Sequence, residues 1–108
     1  MRRALPAGLV FALLSLAAVN AAGVEELYSR NCAPCHGKDG KGNTPAGKKA
    51  GAKDLTISKT TPDEVERQIV EGKLDPKGTA KMPAFGGKIS DEEIKSLAAY
   101  VLGLRKTR

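Results

Sequence analysis

The chain has 108 residues, with 18 Lys and Arg against 12 Asp and Glu, a formal net charge of +6. It holds two cysteines, one histidine and no tryptophan. That length supports one domain and no more, and so few thiols and imidazoles exclude a disulfide framework or a metal scaffold built from several Cys and His ligands.

Residues 1–22 read as an export signal. Arg2 and Arg3 make a positive start, Leu5 to Val19 carries no charge, and Val19-Asn20-Ala21 offers small residues for cleavage. The apolar core falls short of the roughly 20 residues that span a membrane. No fuller twin-arginine context follows Arg3, so secretion of an unfolded chain into the periplasm is expected. An uncleaved anchor stays open, because no charge intervenes before Glu25. Residues 23–108 then form one domain whose only aromatics are Tyr28, Phe85 and Tyr100. A domain of that size buries only about 60–70% of its unfolded surface.

The first helix is expected from about Gly23 to Asn31. Val24, Leu27 and Tyr28 share one face, and Glu25 and Glu26 lie near its positive end. It runs into Cys32-Ala33-Pro34-Cys35-His36, which contains both cysteines and the only histidine. Two thiols three residues apart, followed at once by an imidazole, are the arrangement for attaching a c-type haem. Each sulfur adds across one vinyl group on the same porphyrin edge, and a helical turn presents both. His36 then lies beneath the ring as an iron ligand. Other readings fare worse. A thioredoxin-like pair belongs beside a βαβ pattern that is not found here, and a zinc site lacks a fourth thiol or imidazole. A disulfide across so short a loop would stabilise little. Export agrees with the haem, since bacteria attach it outside the cytoplasmic membrane. The porphyrin would also supply the apolar mass that the composition lacks.

Residues 37–60 read as a loop, interrupted by Gly37, Gly40, Gly42, Gly47 and Gly51; a loop that long is disordered or functional, and wrapping a haem edge would account for it. Thr61-Pro62-Asp63-Glu64 then opens a second helix with a capping box, Val65 and Ile69 face inward, and Gly72 ends it. Gly72 to Lys88 is read as irregular, with no strand of convincing length. A third helix starts at Ser90, with Glu93 completing its box and Ile89 stapling onto Ile94. Ile94, Leu97, Ala98, Val101 and Leu104 carry its apolar stripe to a basic end at Arg105 and Lys106. Met82 is the sole methionine after the signal and the candidate for the second face of the iron. Pro83 stiffens the backbone that presents it.

These features resemble the small bacterial c-type cytochromes of class I, single-haem electron carriers. The resemblance rests on Leu27-Tyr28, Cys32-Ala33-Pro34-Cys35-His36-Gly37, Met82-Pro83-Ala84-Phe85 and the final helix with Leu97, Tyr100 and Val101. It implies an all-α cytochrome c fold, three main helices and long loops around one covalent haem c. It also implies that the carbonyl of Pro45 accepts the His36 N–H, and that Tyr28, Phe85, Leu97, Tyr100 and Val101 line the haem pocket or the helix interface. In the family a glycine stands at the position of Val24, whereas here it is Gly23, which leaves the detail of the first-to-last helix crossing open, though not the haem site.

The function expected is outer-sphere, one-electron transfer through an exposed haem edge, by a carrier and not an enzyme. Excluding Arg2 and Arg3, 16 basic and 12 acidic side chains leave a formal +4. Lys73, Lys77, Lys81 and Lys88 bracket Met82 and are expected to steer a monomer to acidic patches on a reductase or oxidase. Nucleic acid is a poor partner for an exported chain whose basic residues are interspersed with acids. Two alternatives remain: a haem-based module that binds or senses small ligands, and a haem subunit of a larger oxidoreductase.

Overall fold

The computed structural model describes residues 21–107; the export signal expected over residues 1–22 lies, save for its last two residues, outside them. Among the described residues no helix is long and apolar enough to cross a membrane. The first helix, α1, spans Ala21–Asn31 and buries Val24, Leu27 and Tyr28. The last main helix, α5, spans Asp91–Gly103 and buries Ile94, Leu97 and Ala98 in the same cluster. The rings of Tyr28 and Tyr100 meet with centroids 4.9 Å apart and planes tilted by 40°. Tyr28 and Leu97 are each only 1% exposed, and burying a side chain of that kind stabilises a fold by about 1.5–3 kcal/mol. With the glycine standing one place early, Val24 joins the core that the first and last helices share with Ala98.

Helix α4 spans Pro62–Glu71 and packs on α5. Both begin with the expected capping boxes. Thr61 N donates to Glu64 Oε1 at 2.8 Å while Thr61 Oγ1 accepts Glu64 N at 3.2 Å; Ser90 and Glu93 repeat the exchange at 2.8 and 3.0 Å. The two helices run antiparallel, tied at both ends. Phe85 N and Gly86 N reach the carbonyls of Ile69 and Val70 at the end of α4, just before α5 starts. At the other end Arg105 Nη2 donates to the carbonyl of Thr60 at 2.7 Å, just before α4 starts.

Two elements were not expected. Within the loop 37–60 a short helix, α3, forms over Pro45–Ala50, after the four-residue α2 over Ala33–His36. Thr44 caps α3 and Pro45 occupies its first turn, where the missing N–H costs nothing. Between Gly72 and Lys88 lies a hairpin instead of irregular chain: β1, Lys73–Leu74, pairs antiparallel with β2, Ala80–Met82. Asp75 closes it, accepting Lys77 N and Thr79 N on Oδ1, both at 2.9 Å. Such short strands leave the all-α class intact.

Candidate haem site

The attachment turn is a continuation of α1. Cys32 N donates to the carbonyl of Tyr28, and Cys35 N and His36 N both donate to the carbonyl of Cys32, at 3.2 and 2.8 Å. Cys32, Cys35 and His36 thus stand at i, i+3 and i+4 on one helical face, the spacing at which side chains are neighbours. Both thiols are half-buried. A pair tuned for disulfide exchange has its attacking sulfur drawn down toward neutrality. Cys32 is pushed the other way, up to about 11, by burial and then by the neighbouring Cys35. Among the described residues no group of three or more His, Cys, Asp or Glu is placed to hold a metal ion.

His36 Nδ1 lies 3.1 Å from the main-chain carbonyl of Lys53. That partner fixes the ring and leaves Nε2 as the nitrogen available to iron. Burial holds the imidazole below its ordinary pKa, against the carbonyl of Lys53, which pulls it up. A neutral ring is the form that ligates. Pro45 does not supply this carbonyl. It opens α3, is exposed, and as a first-turn residue has its carbonyl directed along the helix axis.

Met82 ends β2 opposite Lys73, and Leu74 pairs with Ala80, so Lys81 is the extra residue of a bulge. A bulge re-aims the side chain beside it. Its partner strand β1 emerges from the end of α4, where Gly72 has φ +68, and a Cβ there would meet the carbonyl of Met82 and stand 2.8 Å from both Pro83 C and Ala84 N. Only glycine permits that approach. The following Phe85 N and Gly86 N bind the last carbonyls of α4 at 2.9 and 3.1 Å, satisfying acceptors that a helix end leaves free. The methionine segment is thereby fastened to a helix and not left as a loose loop.

Tyr28 and Leu97 are interior, at the helix crossing. Phe85, Tyr100, Val101 and Met82 are half-buried and pack against the same core, as do Cys32, Ala33 and Leu55. Tyr28 also donates its hydroxyl to the carbonyl of Gly37 at 2.7 Å, tying α1 to the chain beyond His36. Lys73, Lys77 and Lys81 all belong to the hairpin that carries Met82, and Lys88 N binds the carbonyl of Phe85; all four side chains are exposed. Ile57 and Leu74, 56% and 63% exposed, lie on the loop that supplies Lys53 and on the hairpin that carries Met82. Two thiols on one helical face, a neutral imidazole, a thioether and apolar side chains left in water fit a porphyrin. Sequence reading missed Lys53, whose carbonyl any residue could offer. It also missed the hairpin, which Asp75-Pro76-Lys77-Gly78 signals as a turn.

Residues 19–101 match the family described as cytochrome c oxidase, cbb3-type, subunit III. The chain belongs to this family of c-type cytochromes. It is 41% identical over 76 residues to a cytochrome c6 of Microcystis aeruginosa, covering 70% of this chain and 86% of that one. A cytochrome c6 of Leptolyngbya boryana is 36% identical over 84 residues, 77% of this chain and 91% of its own. The cbb3-type cytochrome c oxidase subunit FixP of Azorhizobium caulinodans is 37% identical over 76 residues; the match covers 70% of this chain and 24% of that subunit. Among solved structures, the KustC0563 c-type cytochrome superposes with a TM-score of 0.64 at 33% identity, covering 75% of this chain and 95% of that one. The cytochrome c fold and a covalently bound haem c are therefore properties of this cytochrome, as the sequence led us to expect. Its work is electron transfer.

Proposed function

We propose that this cytochrome is exported, is cleaved near residue 22, and carries single electrons between redox proteins in the periplasm as a monomer. Cys32 and Cys35 would hold the haem through thioether bonds, and His36 and Met82 would ligate its iron. The observation that carries this reading is that both candidate ligands are fastened to backbone. The His36 ring sits on the carbonyl of Lys53, and the Met82 segment sits on Gly72 and the end of α4. A bound haem supplies a one-electron couple of ferric and ferrous iron. The chain's part is to keep both ligands in place through that change, so that little reorganises, and to keep water from the ring. With His36 and Met82 both on the iron, a bound haem would offer no open coordination position to a substrate, which favours a carrier over an enzyme.

Lys73, Lys77, Lys81 and Lys88 give the Met82 side a positive surface, suited to acidic patches on a reductase or oxidase. Visible absorption of the protein purified from the envelope tests the reading. Sharp reduced bands that survive acid–acetone extraction, with the weak far-red ferric band of a thioether ligand, are expected. Covalent haem without the far-red band would favour a ligand-binding or sensing module, and colourless protein would overturn the whole reading. The match to an oxidase subunit family favours one second reading, a haem subunit of a larger oxidoreductase. Co-purification of the haem with a high-mass membrane fraction would support that instead.

A further inference from the structure

Beyond His36 the chain folds back on the attachment turn. Thr44 Oγ1 donates to the carbonyl of Cys35 at 2.7 Å and accepts Gly47 N at 2.8 Å, bridging α2 and the start of α3. Gly42 N donates to the carbonyl of His36 at 2.7 Å. Gly47 is buried, and a Cβ on it would collide with the carbonyl of Cys35 while standing 2.8 Å from both the Gly42 carbonyl and Thr44 Oγ1. What Gly47 supplies is room for one backbone to lie on another. The carbonyls at the end of α2 have no partner within so short a helix, and the fold-back provides two of them.

We infer that Thr44 and Gly47 are positioning residues for the proximal ligand. They clamp the Cys35–His36 peptide, so that the His36 ring keeps its bond to the carbonyl of Lys53 in both oxidation states. The inference rests on His36 being the iron ligand. A hydrogen bond from the far ring nitrogen makes the imidazole a stronger donor, and a stronger donor favours ferric iron. Releasing the clamp lets that bond lengthen and shifts the couple toward the reduced form.

Thr44→Val removes the hydroxyl and keeps the branched shape, whereas Thr44→Ser keeps the hydroxyl and loses a methyl group. Reduction potentials of the purified holoproteins are read by titration against a reference couple. Thr44→Val is expected to shift the equilibrium about fivefold toward the reduced form, the factor for one ordinary hydrogen bond. Thr44→Ser is expected to match the wild type, and Gly47→Ala, with every hydroxyl intact, to shift in the same direction as Thr44→Val. Equal shifts in the Val and Ser variants would mean that the methyl group matters and not the bond, and would overturn the inference. So would an unmoved potential in Gly47→Ala, which stands as a test even if Thr44→Val fails to mature. The ferric spectrum of the wild type separates the two readings. If it lacks histidine–methionine character, the ligand reading falls; if it has it and the variants do not move, only the clamp falls.

Discussion

The main-chain carbonyl of Lys53 stands 3.1 Å from Nδ1 of His36, across 17 residues of sequence. A backbone acceptor survives most side-chain changes, and the Lys53 side chain is exposed. Lys53→Ala should therefore leave the ferric spectrum and the reduction potential where they are. Pro45→Ala should do the same, losing under about 1 kcal/mol of stability from the first turn of α3. Redox titration of both variants checks this. A potential that moves in Lys53→Ala would mean that the side chain, and not the main-chain carbonyl alone, governs the His36 ring.

Gly72 is the second backbone contact on which the site depends. Its φ of +68 disfavours any side chain, and the Met82–Ala84 backbone fills the space that a Cβ needs. Gly72→Ala should cost about 1–3 kcal/mol of unfolding free energy. Because the displaced backbone is that of Met82 and Pro83, the ferric far-red band should weaken in the same variant. Denaturant unfolding followed at that band and by circular dichroism reads both effects. Loss of stability with an intact band would separate Gly72 from the ligand.

The helix starts are legible in the sequence, because a capping box is written in side chains: Thr61 with Glu64, and Ser90 with Glu93. So is the face that joins Cys32, Cys35 and His36, since spacing alone sets it. What is not legible is what the backbone does. The acceptor for His36 is a carbonyl, which every residue has, so the sequence carries no mark on Lys53. The seat for Met82 depends on which atoms crowd Gly72, and on a bulge at Lys81 that no periodicity reveals in strands of two and three residues. Gly47 read as a loop breaker, although its buried place against Cys35 makes it a packing residue.

Met82→Ala tests the distal ligand directly. The loss of the thioether should open the ferrous iron to carbon monoxide, abolish the far-red band and lower the potential, since a methionine ligand raises it. Carbon monoxide difference spectra of variant and wild type are the measurement. Equal binding by the two would mean that Met82 is not on the iron, and would move the proposal toward a ligand-binding module.

Tyr28 is held above its ordinary pKa, first by burial, and its hydroxyl donates to the carbonyl of Gly37. The folded state therefore keeps the phenol proton after the unfolded chain has begun to release it. The stability linked to this group is complete below its unfolded value of 10.0 and falls as pH rises above it. Tyr28→Phe should cost about 1 kcal/mol near neutral pH by removing one of the two hydrogen bonds that the Gly37 carbonyl accepts, the other coming from Gly40 N at 3.1 Å. The same variant should lose less stability than the wild type on going to strongly alkaline pH. Denaturant midpoints compared across that range, for both proteins, give the two numbers.

Lys73, Lys77 and Lys81 sit on one hairpin with Met82, and the one acid in it, Asp75, turns Oδ1 inward onto Lys77 N and Thr79 N. The hairpin thus presents its positive charge outward with little local compensation. Steering by such a patch acts on the rate of encounter and is screened by salt over about 8–10 Å at moderate ionic strength. Electron-transfer rates with an acidic redox protein, measured by stopped flow, should fall as salt is raised. Reversing Lys73, Lys77 and Lys81 to Glu should slow the reaction at low salt and flatten its salt dependence, with the potential little changed. Lys95 lies on the exposed side of α5, away from that hairpin in sequence, and its reversal should have a smaller effect. A rate indifferent to ionic strength in the wild type would leave these lysines as solubilising charges and place docking elsewhere on the surface.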